Sequence, residues 1–539
     1  VSAQTGTAGN GGKFTVVVAD GISESGLRPL LNDKRFDVVV VNDKEQLDAA
    51  IPTAHALIVR SATKVTRDLL GKAGNIRVIG RAGVGVDNID QQAATEKGAA
   101  VMNAPAGNTV AAAELTMALL LAAARKVAEA DRSVRAGEWK RNKFGGVELR
   151  GRTVGLVGAG RIGGEVAKRC KAFEMHVVAS DPYLTEERAL DLGVERVELD
   201  ELKKRADVIS LHVPLNDQTK GMFGEAELRQ LKKGAFLVNV ARGGVVDENA
   251  LVMVLEDGHL GGAALDVFDQ EPLQPDSPLR TAKNIVLTPH LGASTSEAQE
   301  LVAEEIAEAV RAALAEGDLS RALNAPAIGG ETLQKLLPLF RLGQKLGRLG
   351  AGLAQGGIKG VEVRYAGDTT EAPRPLMSYV LMGLLGAIVG DDQVNFVNAP
   401  HLAETRGIGV STHKLARRSD YMSFVEIKVF GDESETRIAG VLLGEQYPRV
   451  VRIGDYHVDI VPQGSLLVLR NRDVPGVIGK VGTLLGDLKL NIAEYHQAQL
   501  AAGGEALAAI SVDGTVDQKV LGRLSELPEI TDARVVRLG

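Results

Sequence analysis

The chain has 539 residues, 45% hydrophobic and 24% charged, an ordinary globular composition; at about 150 residues per domain it is too long for one core and predicts three or four units. A formal net charge of −7 argues against a general nucleic-acid surface, so an anionic ligand must be met by locally placed Arg and Lys. The single cysteine, Cys170, excludes an internal disulfide and a cysteine metal cluster, and it fits a reducing compartment.

The opening VSAQTGTAGNGG is small and polar, predicting a disordered tail over 1–13 and not a signal peptide; the absent initiator Met suggests processing or truncation. From Phe14 to about Leu323, β-branched runs alternate with amphipathic stretches: FTVVVAD, ALIVRS, IRVIGRAG, AAVMNAP, TVGLVGAG, HVVASD, VISLHVP, FLVNVAR, GAALDVF and IVLTPH. That alternation predicts parallel α/β layers. AAAELTMALLLAAA (111–124) contains Glu114, and MSYVLMGLLGAIVG (377–390) stops short of about 18 apolar residues, so both are expected to be buried helices and not membrane spans. Ser294 and Glu297 read as a capping box for a helix that stops near Gly317. Residues 330–460 carry strand and helix patterns without a catalytic constellation. From SLLVLRNRDVPGVIG onward the order is strand, Pro-Gly turn, helix, two strands, helix, strand, which suits a small sheet with helices on one side.

Two glycine-rich turns follow strands. In TVGLVGAGRIGGEVAKRCKAFEMHVVASD, Gly158, Gly160 and Gly163 have G-x-G-x-x-G spacing between a strand and a helix, and Asp181 ends the next strand 18 residues after Gly163. Such a turn admits a pyrophosphate to the helix N-terminus, and Asp181 suits ribose hydroxyls and repels a 2′-phosphate, so NAD is expected over NADP. RAGVGVDN (81–88) lacks the third glycine and the later acid, and suits a cradle for a small anion.

Three further strand ends carry unusual polar residues: Arg242 in VARGG, Glu271 in LDVFDQEP and His290 in TPHLGAST. In parallel sheets the carboxyl ends of strands share one edge, so the three are expected to meet there. Interconverting a secondary alcohol and a ketone needs a proton carrier, which suits His290; a carboxylate to fix its tautomer, which suits Glu271; and a clamp for a substrate carboxylate, which suits Arg242. Taken singly, each has a plainer reading: a structural histidine, a solvated turn acid, and a capping or ion-paired arginine. As a clamp, Arg242 need not have a partner in the protein, since a substrate carboxylate would complete the pair, with Gly243 and Gly244 leaving room for ligands. Arg60 and Arg81 end two strands of the N-terminal region and Arg141 lies with Lys143 in WKRNKF; a substrate bearing both phosphate and carboxylate would require such cations, while solvated surface charge is the plainer reading of Arg141 and Lys143.

GLVGAGRIG, NVARGGVVDE, LDVFDQEP and TPHLGAS resemble the D-2-hydroxyacid dehydrogenase family; RSATKV, GRAGVGVDNID and APAGNTVAAAE are similar to its 3-phosphoglycerate dehydrogenase branch. The resemblance implies two Rossmann-like doubly wound domains, for substrate (14–110, completed by 290–323) and for NAD (111–289). It further implies an α+β intervening domain (324–463) and a ferredoxin-like ACT regulatory domain (464–539). It implies Arg242, Glu271 and His290 as the catalytic set. Cofactor contacts are implied for Val84, Gly158, Gly160, Arg161, Ile162, Gly163, Asp181, Val213, Val240, Ala241, Asp266, Gly292 and Ala293, and substrate contacts for Arg60, Arg81, Asn108 and Arg141. A small-molecule effector, serine in the family, would meet Asn471, Asp473 and Asn491 at a subunit interface, although asparagine stands at 471 where the serine-inhibited pattern has histidine. A homo-oligomer is implied, with the apolar helix at 111–124 as a contact, and a cytoplasmic or plastid setting, with no metal, membrane or nucleic acid involved. The implied reaction is NAD-dependent oxidation of 3-phosphoglycerate on the way to serine. A hydroxypyruvate or glyoxylate reductase and a non-catalytic NAD-sensing scaffold are the alternatives.

Overall fold

The computed structural model describes residues 12–538 except 368, 370, 371, 416–422, 433, 445 and 501–503, so nearly all of the expected tail lies outside the described residues. Five parallel strands form the first sheet, in spatial order Phe36–Val40, Phe14–Val18, Ala56–Val59, Val78–Arg81 and Ala100–Asn103. Both faces are covered, which is why the strands are continuously apolar. Val16 and Val18 pack with Ile306 and Val310 of the helix Ser296–Glu316, whereas Val17 points to Leu47, Leu69 and Ala93 of three short helices on the other face.

The second sheet has seven parallel strands, in the order Ile285–Leu287, Gly262–Leu265, Phe236–Asn239, Val208–Leu211, Thr153–Val157, His176–Ser180 and Glu195–Arg196. One face packs Leu156, Val238 and Ala264 on Met117, Leu120 and Val166; the other packs Ile209, Leu237 and Ala263 on Leu202, Leu228 and Leu251. The chain crosses from the first sheet to the second through the helix Thr109–Ala124 and returns through Ser296–Glu316. The first of these hides eight of its residues within its own chain, including Met117, Leu119 and Leu120, so most of the apolar surplus that suggested a contact between copies is spent internally.

The returning helix is capped one residue later than expected. Thr295 is extended and its Oγ1 accepts the Ala298 N–H at 3.1 Å. The Ser294 N–H closes a turn onto the Leu291 carbonyl, so position 294 belongs to the preceding loop. The helix stops at Gly317, left-handed at φ +71°.

Beyond residue 330, the helices Gly330–Leu353 and Pro373–Val389 pack against each other and on a six-stranded mixed sheet running from Gly409–Lys414 at one edge to Tyr456–Ile460 at the other. A four-stranded antiparallel sheet ends the chain, ordered Asn491–Gln499, Glu505–Asp513, Ser465–Arg472, Ile530–Arg537, with its helices Val477–Asp487 and Gln518–Ser525 in the positions of a ferredoxin-like fold. No helix among the described residues is long and apolar enough to cross a membrane.

Candidate active site

Because both large sheets are parallel, their carboxyl ends face one cleft, and the register sets the level at which each loop leaves. Val59, Arg81 and Asn103 are neighbours in the first sheet; Val157, Leu211, Asn239, Leu265 and Leu287 are neighbours in the second. The loops that follow enclose a cavity of about 490 Å³, lined from one side by Arg81, Val84, Gly85, Asp87 and Asn108 and from the other by His212, Arg242, Glu271 and His290. The three strand-end residues therefore converge.

His290 Nδ1 lies 2.7 Å from Glu271 Oε2, and Glu271 Oε1 accepts the Phe268 N–H at 3.1 Å. Burial pushes the Glu271 carboxyl up, but the hydrogen bond and charge of His290, the Phe268 N–H and the charge of Arg242 outweigh it and leave the carboxyl below its usual value. An ionised Glu271 only accepts, so Nδ1 carries the hydrogen and Nε2 presents its lone pair to the cavity. His290 itself is left-handed, at φ +56°. Its loop is held from below by Asp266, wholly buried, which accepts from Thr288 Oγ1 at 2.6 Å, Leu291 N at 2.8 Å and Gly292 N at 2.9 Å. Burial raises the Asp266 pKa against the pull of those three donors. Asp266 thus supports the loop and has no surface on the cavity.

Arg242 does not wait unpaired. Its Nε donates to Asp87 Oδ2 across the cleft at 3.1 Å and its Nη1 to the Ala241 carbonyl at 2.6 Å, so a protein partner is present, as its plainer ion-paired reading allowed. Its loop is pinned by Asn239, whose Nδ2 donates to the Arg242 carbonyl and whose Oδ1 accepts the Ala241 N–H. The two glycines behind it also serve the protein. A Cβ at Gly243 would overlap the Phe268 carbonyl, locking the Arg242 loop onto the Glu271 loop, and Gly244 turns at φ +77° with its N–H on Asp269 Oδ1.

The loop RAGVGVDN cradles guanidinium groups. Where Gly83 lacks a side chain the Arg81 Nη1 sits, and where Gly85 lacks one the Arg242 Nη2 sits. Arg81 Nη1 donates to the Ala82 carbonyl at 2.7 Å, and its Nε is buried without a partner among the described residues. Burial, then the charges of Arg242 and Arg60, push the Arg81 pKa down to about 10. A bound anion would relieve all three costs.

At the other glycine turn, Gly158 is at φ +94° under the His212 carbonyl, and a Cβ at Gly163 would overlap the Gly158 carbonyl, so both are required by the protein. Gly160 differs: nothing lies within 4 Å of its missing Cβ, and it opens the helix Arg161–Ala172 without a side-chain cap. Open space at an uncapped helix N-terminus is what a pyrophosphate needs. Asp181 is tied to this turn, accepting from Ala159 N and Tyr183 N, each at 2.8 Å. Ile162, Val213, Val240, Ala241, Gly292 and Ala293 line the cavity with Val84; Arg161 is exposed and is not in the wall. These residues fit a dinucleotide.

Other expected contacts are placed apart. Arg60 lies next to cavity-lining Ser61, with its N–H on Asp20 and its carbonyl accepting from Asn88, but its side chain is not in the wall. Asn108 is in the wall, its Oδ1 unpartnered. Arg141 and Lys143 stand exposed on the short turn Arg141–Phe144 and are not in the cavity wall. Asn471 pairs with Ala506 and Asn491 with Asp513, so roughly 23 Å of strand separates them at about 3.3 Å per residue, and one chain does not unite them. Asp473 joins Asn471's end, accepting from Gln497 at 3.5 Å. Residues not anticipated are Asp87, Asn239 and His212. The last, at the end of VISLHVP, obeys the same strand-end rule as His290; burial pushes it down to about 4, and its Nε2 meets Ser210 Oγ at 2.9 Å.

Residues 117–292 match the family described as D-isomer specific 2-hydroxyacid dehydrogenase, NAD binding domain, and residues 335–454 match the D-3-phosphoglycerate dehydrogenase intervening domain. The D-3-phosphoglycerate dehydrogenase of Methanocaldococcus jannaschii is 41% identical over 529 residues, covering 97% of this chain and 99% of that one. That of Bacillus subtilis is 39% identical over 526 residues, covering 97% and 100%. Among solved structures, the NAD-dependent formate dehydrogenase from Staphylococcus aureus in complex with NAD matches with a TM-score of 0.50 at 31% identity, covering 55% of this chain and 95% of that one. A glyoxylate reductase from Paecilomyes thermophila matches with a TM-score of 0.52 at 29% identity, covering 58% and 98%.

Proposed function

The chain belongs to the D-3-phosphoglycerate dehydrogenase family, and on that premise we propose that His290, Glu271 and Arg242 carry out the NAD-dependent oxidation of 3-phospho-D-glycerate to 3-phosphohydroxypyruvate, the first step of the phosphorylated route to L-serine. Bound NAD would supply the acceptor for the hydride on the substrate's C2. His290 Nε2 takes the C2 hydroxyl proton, while Glu271 fixes the tautomer and balances the imidazolium. Arg242 turns from Asp87 to grip the substrate carboxylate, and Arg81, with Arg60 nearby, meets the remaining negative charge. Gly158, Gly160, Gly163 and Asp181 hold the dinucleotide.

The observation that carries this reading is the 2.7 Å His290–Glu271 contact opening onto a cavity that also holds two arginines. Turnover of 3-phosphoglycerate with NAD tests it, run beside glycerate and beside His290→Ala. Selective use of 3-phosphoglycerate and its loss in the variant are expected; equal use of glycerate would remove the anion argument, and undiminished turnover in the variant would remove the proton carrier.

The same reading divides the chain into a substrate unit (14–110 with 290–323), an NAD unit (111–289), an intervening unit (324–463) and an ACT-like unit (464–539). Separation of Asn471 and Asp473 from Asn491 requires two copies side by side if all three are to meet one amino acid such as serine, so effector binding and a dimer or tetramer are proposed together. A cytoplasmic setting is supported by archaeal and bacterial relatives and by the buried free thiol of Cys170.

A further inference from the structure

A second cavity, of about 120 Å³, shares no residue with the first. It lies between the first sheet, through Val78 and Ala100, and the helices Gly330–Leu353 and Pro373–Val389, through Leu333, Leu337 and Met382. Arg77 forms part of the wall of this mainly apolar space. Its guanidinium rests over the Phe14 ring at 5.9 Å and has no carboxylate partner among the described residues, and burial lowers its pKa. Tyr379 also lines the space: it is 7% exposed, its ring stacks on Phe340 at 5.1 Å, and its hydroxyl has no hydrogen-bond partner among the described residues. Asn395, by contrast, is occupied, donating to the Gly98 carbonyl at 2.9 Å. No aspartate or glutamate lines the cavity.

A half-buried cation without a counter-charge, beside an unpartnered hydroxyl and an apolar hollow, offers a carboxylate a partner and an apolar body a wall. We propose that this cavity binds a small monocarboxylate with a compact apolar body and no amino group. The carboxylate pairs with Arg77, and the body lies against Leu333, Leu337 and Met382. An amino group is excluded because no acidic side chain would neutralise it. The size is that of one ring, since apolar cavities of about 150 Å³ accept benzene. An occupant touches both the first sheet and the helices beyond residue 330, and so ties two units together.

Calorimetric titration of benzoate into the full chain tests this, with Arg242→Gln as the background that removes the carboxylate clamp of the main cavity. Saturable 1:1 binding is expected in the unmodified chain and in Arg242→Gln, weakened about tenfold or more in Arg77→Gln and for benzyl alcohol, which has the ring without the charge. Arg77→Gln also loses the stack on Phe14, so Met382→Trp, which fills the hollow and leaves Arg77 intact, is the second variant; it is expected to abolish binding. Binding lost in Arg242→Gln but kept in Arg77→Gln would place benzoate in the main cavity and overturn the proposal. Equal affinity for benzyl alcohol would overturn the role of the cation, and unimpaired binding in Met382→Trp would overturn the site.

Discussion

Asp87 and Arg242 face each other across the cleft, carboxylate to guanidinium at 3.1 Å, one from each parallel sheet. Asp87 is well exposed, with 66% of its side chain accessible, and holds a position a substrate carboxylate would claim. Asp87→Asn is therefore expected to lower the KM for 3-phosphoglycerate by up to about fivefold, the worth of an exposed ion pair, with kcat little changed. Arg242→Lys keeps the charge and loses the fork, and is expected to raise KM about tenfold or more. Steady-state kinetics on the two variants check both signs.

Gly160→Ala and Gly163→Ala are expected to fail in opposite ways. The first adds a methyl into open space, so thermal stability should hold or rise by under about 1 kcal/mol, while NAD affinity falls about tenfold or more. The second collides with the Gly158 carbonyl and should cost about 1–3 kcal/mol of stability. Melting curves and NADH fluorescence titration separate the cases.

Gly85→Ala and Gly243→Ala form a second contrasting pair. At Gly85 the new methyl meets the mobile end of Arg242, so the fold should survive while KM rises about fivefold or more. At Gly243 it meets the Phe268 backbone, and stability should fall first. A Gly85→Ala enzyme with unchanged KM would mean that the guanidinium position is unimportant.

Glu271 has a folded pKa below its ordinary value, so its contribution to stability is present above about pH 4.5 and is lost as pH falls through the lower folded value. Glu271→Gln should flatten the acid end of the stability curve and, by freeing the His290 tautomer, lower kcat by about 10² or more. Denaturation at pH 7, 5 and 4 and turnover at pH 8 give the two readouts.

His212 is a buried base at about pH 4 against an ordinary 6.5. Between those values the unfolded chain binds the proton and the folded chain does not, so stability falls as pH falls through that window. The loss between pH 7 and pH 5 comes to about 2 kcal/mol, and His212→Gln should remove most of it. An identical pH dependence in the variant would show that His212 does not set it.

The parallel layers were legible because strands covered on both faces must be continuously apolar, as FTVVV and FLVN are. The strand Phe36–Val40, FDVVV, carries the same β-branched pattern although it is an edge strand with mixed exposure, whereas Glu195–Arg196 carries none because it is two exposed charged residues. His290 and Glu271 could be paired in advance because parallel strands deliver their ends to one edge. Asp87 could not, since its role depends on how the two sheets face each other, a relation 155 residues long in sequence. The glycines of RAGVGVDN announced a cradle, but only coordinates reveal that arginine side chains fill it.

The helix Ser296–Glu316 returns to cover the first sheet only after the second sheet is complete, so the first unit is built from two separated stretches of chain. The second unit is in effect a cassette spliced into it. A chimera made by one crossover near residue 290 would take that covering helix from a foreign parent and mate it with an unmatched sheet. Exchange of the dinucleotide cassette with a relative therefore needs two junctions, one before Thr109 and one before Thr295, and the same rule governs which recombinants of this chain can be inherited intact.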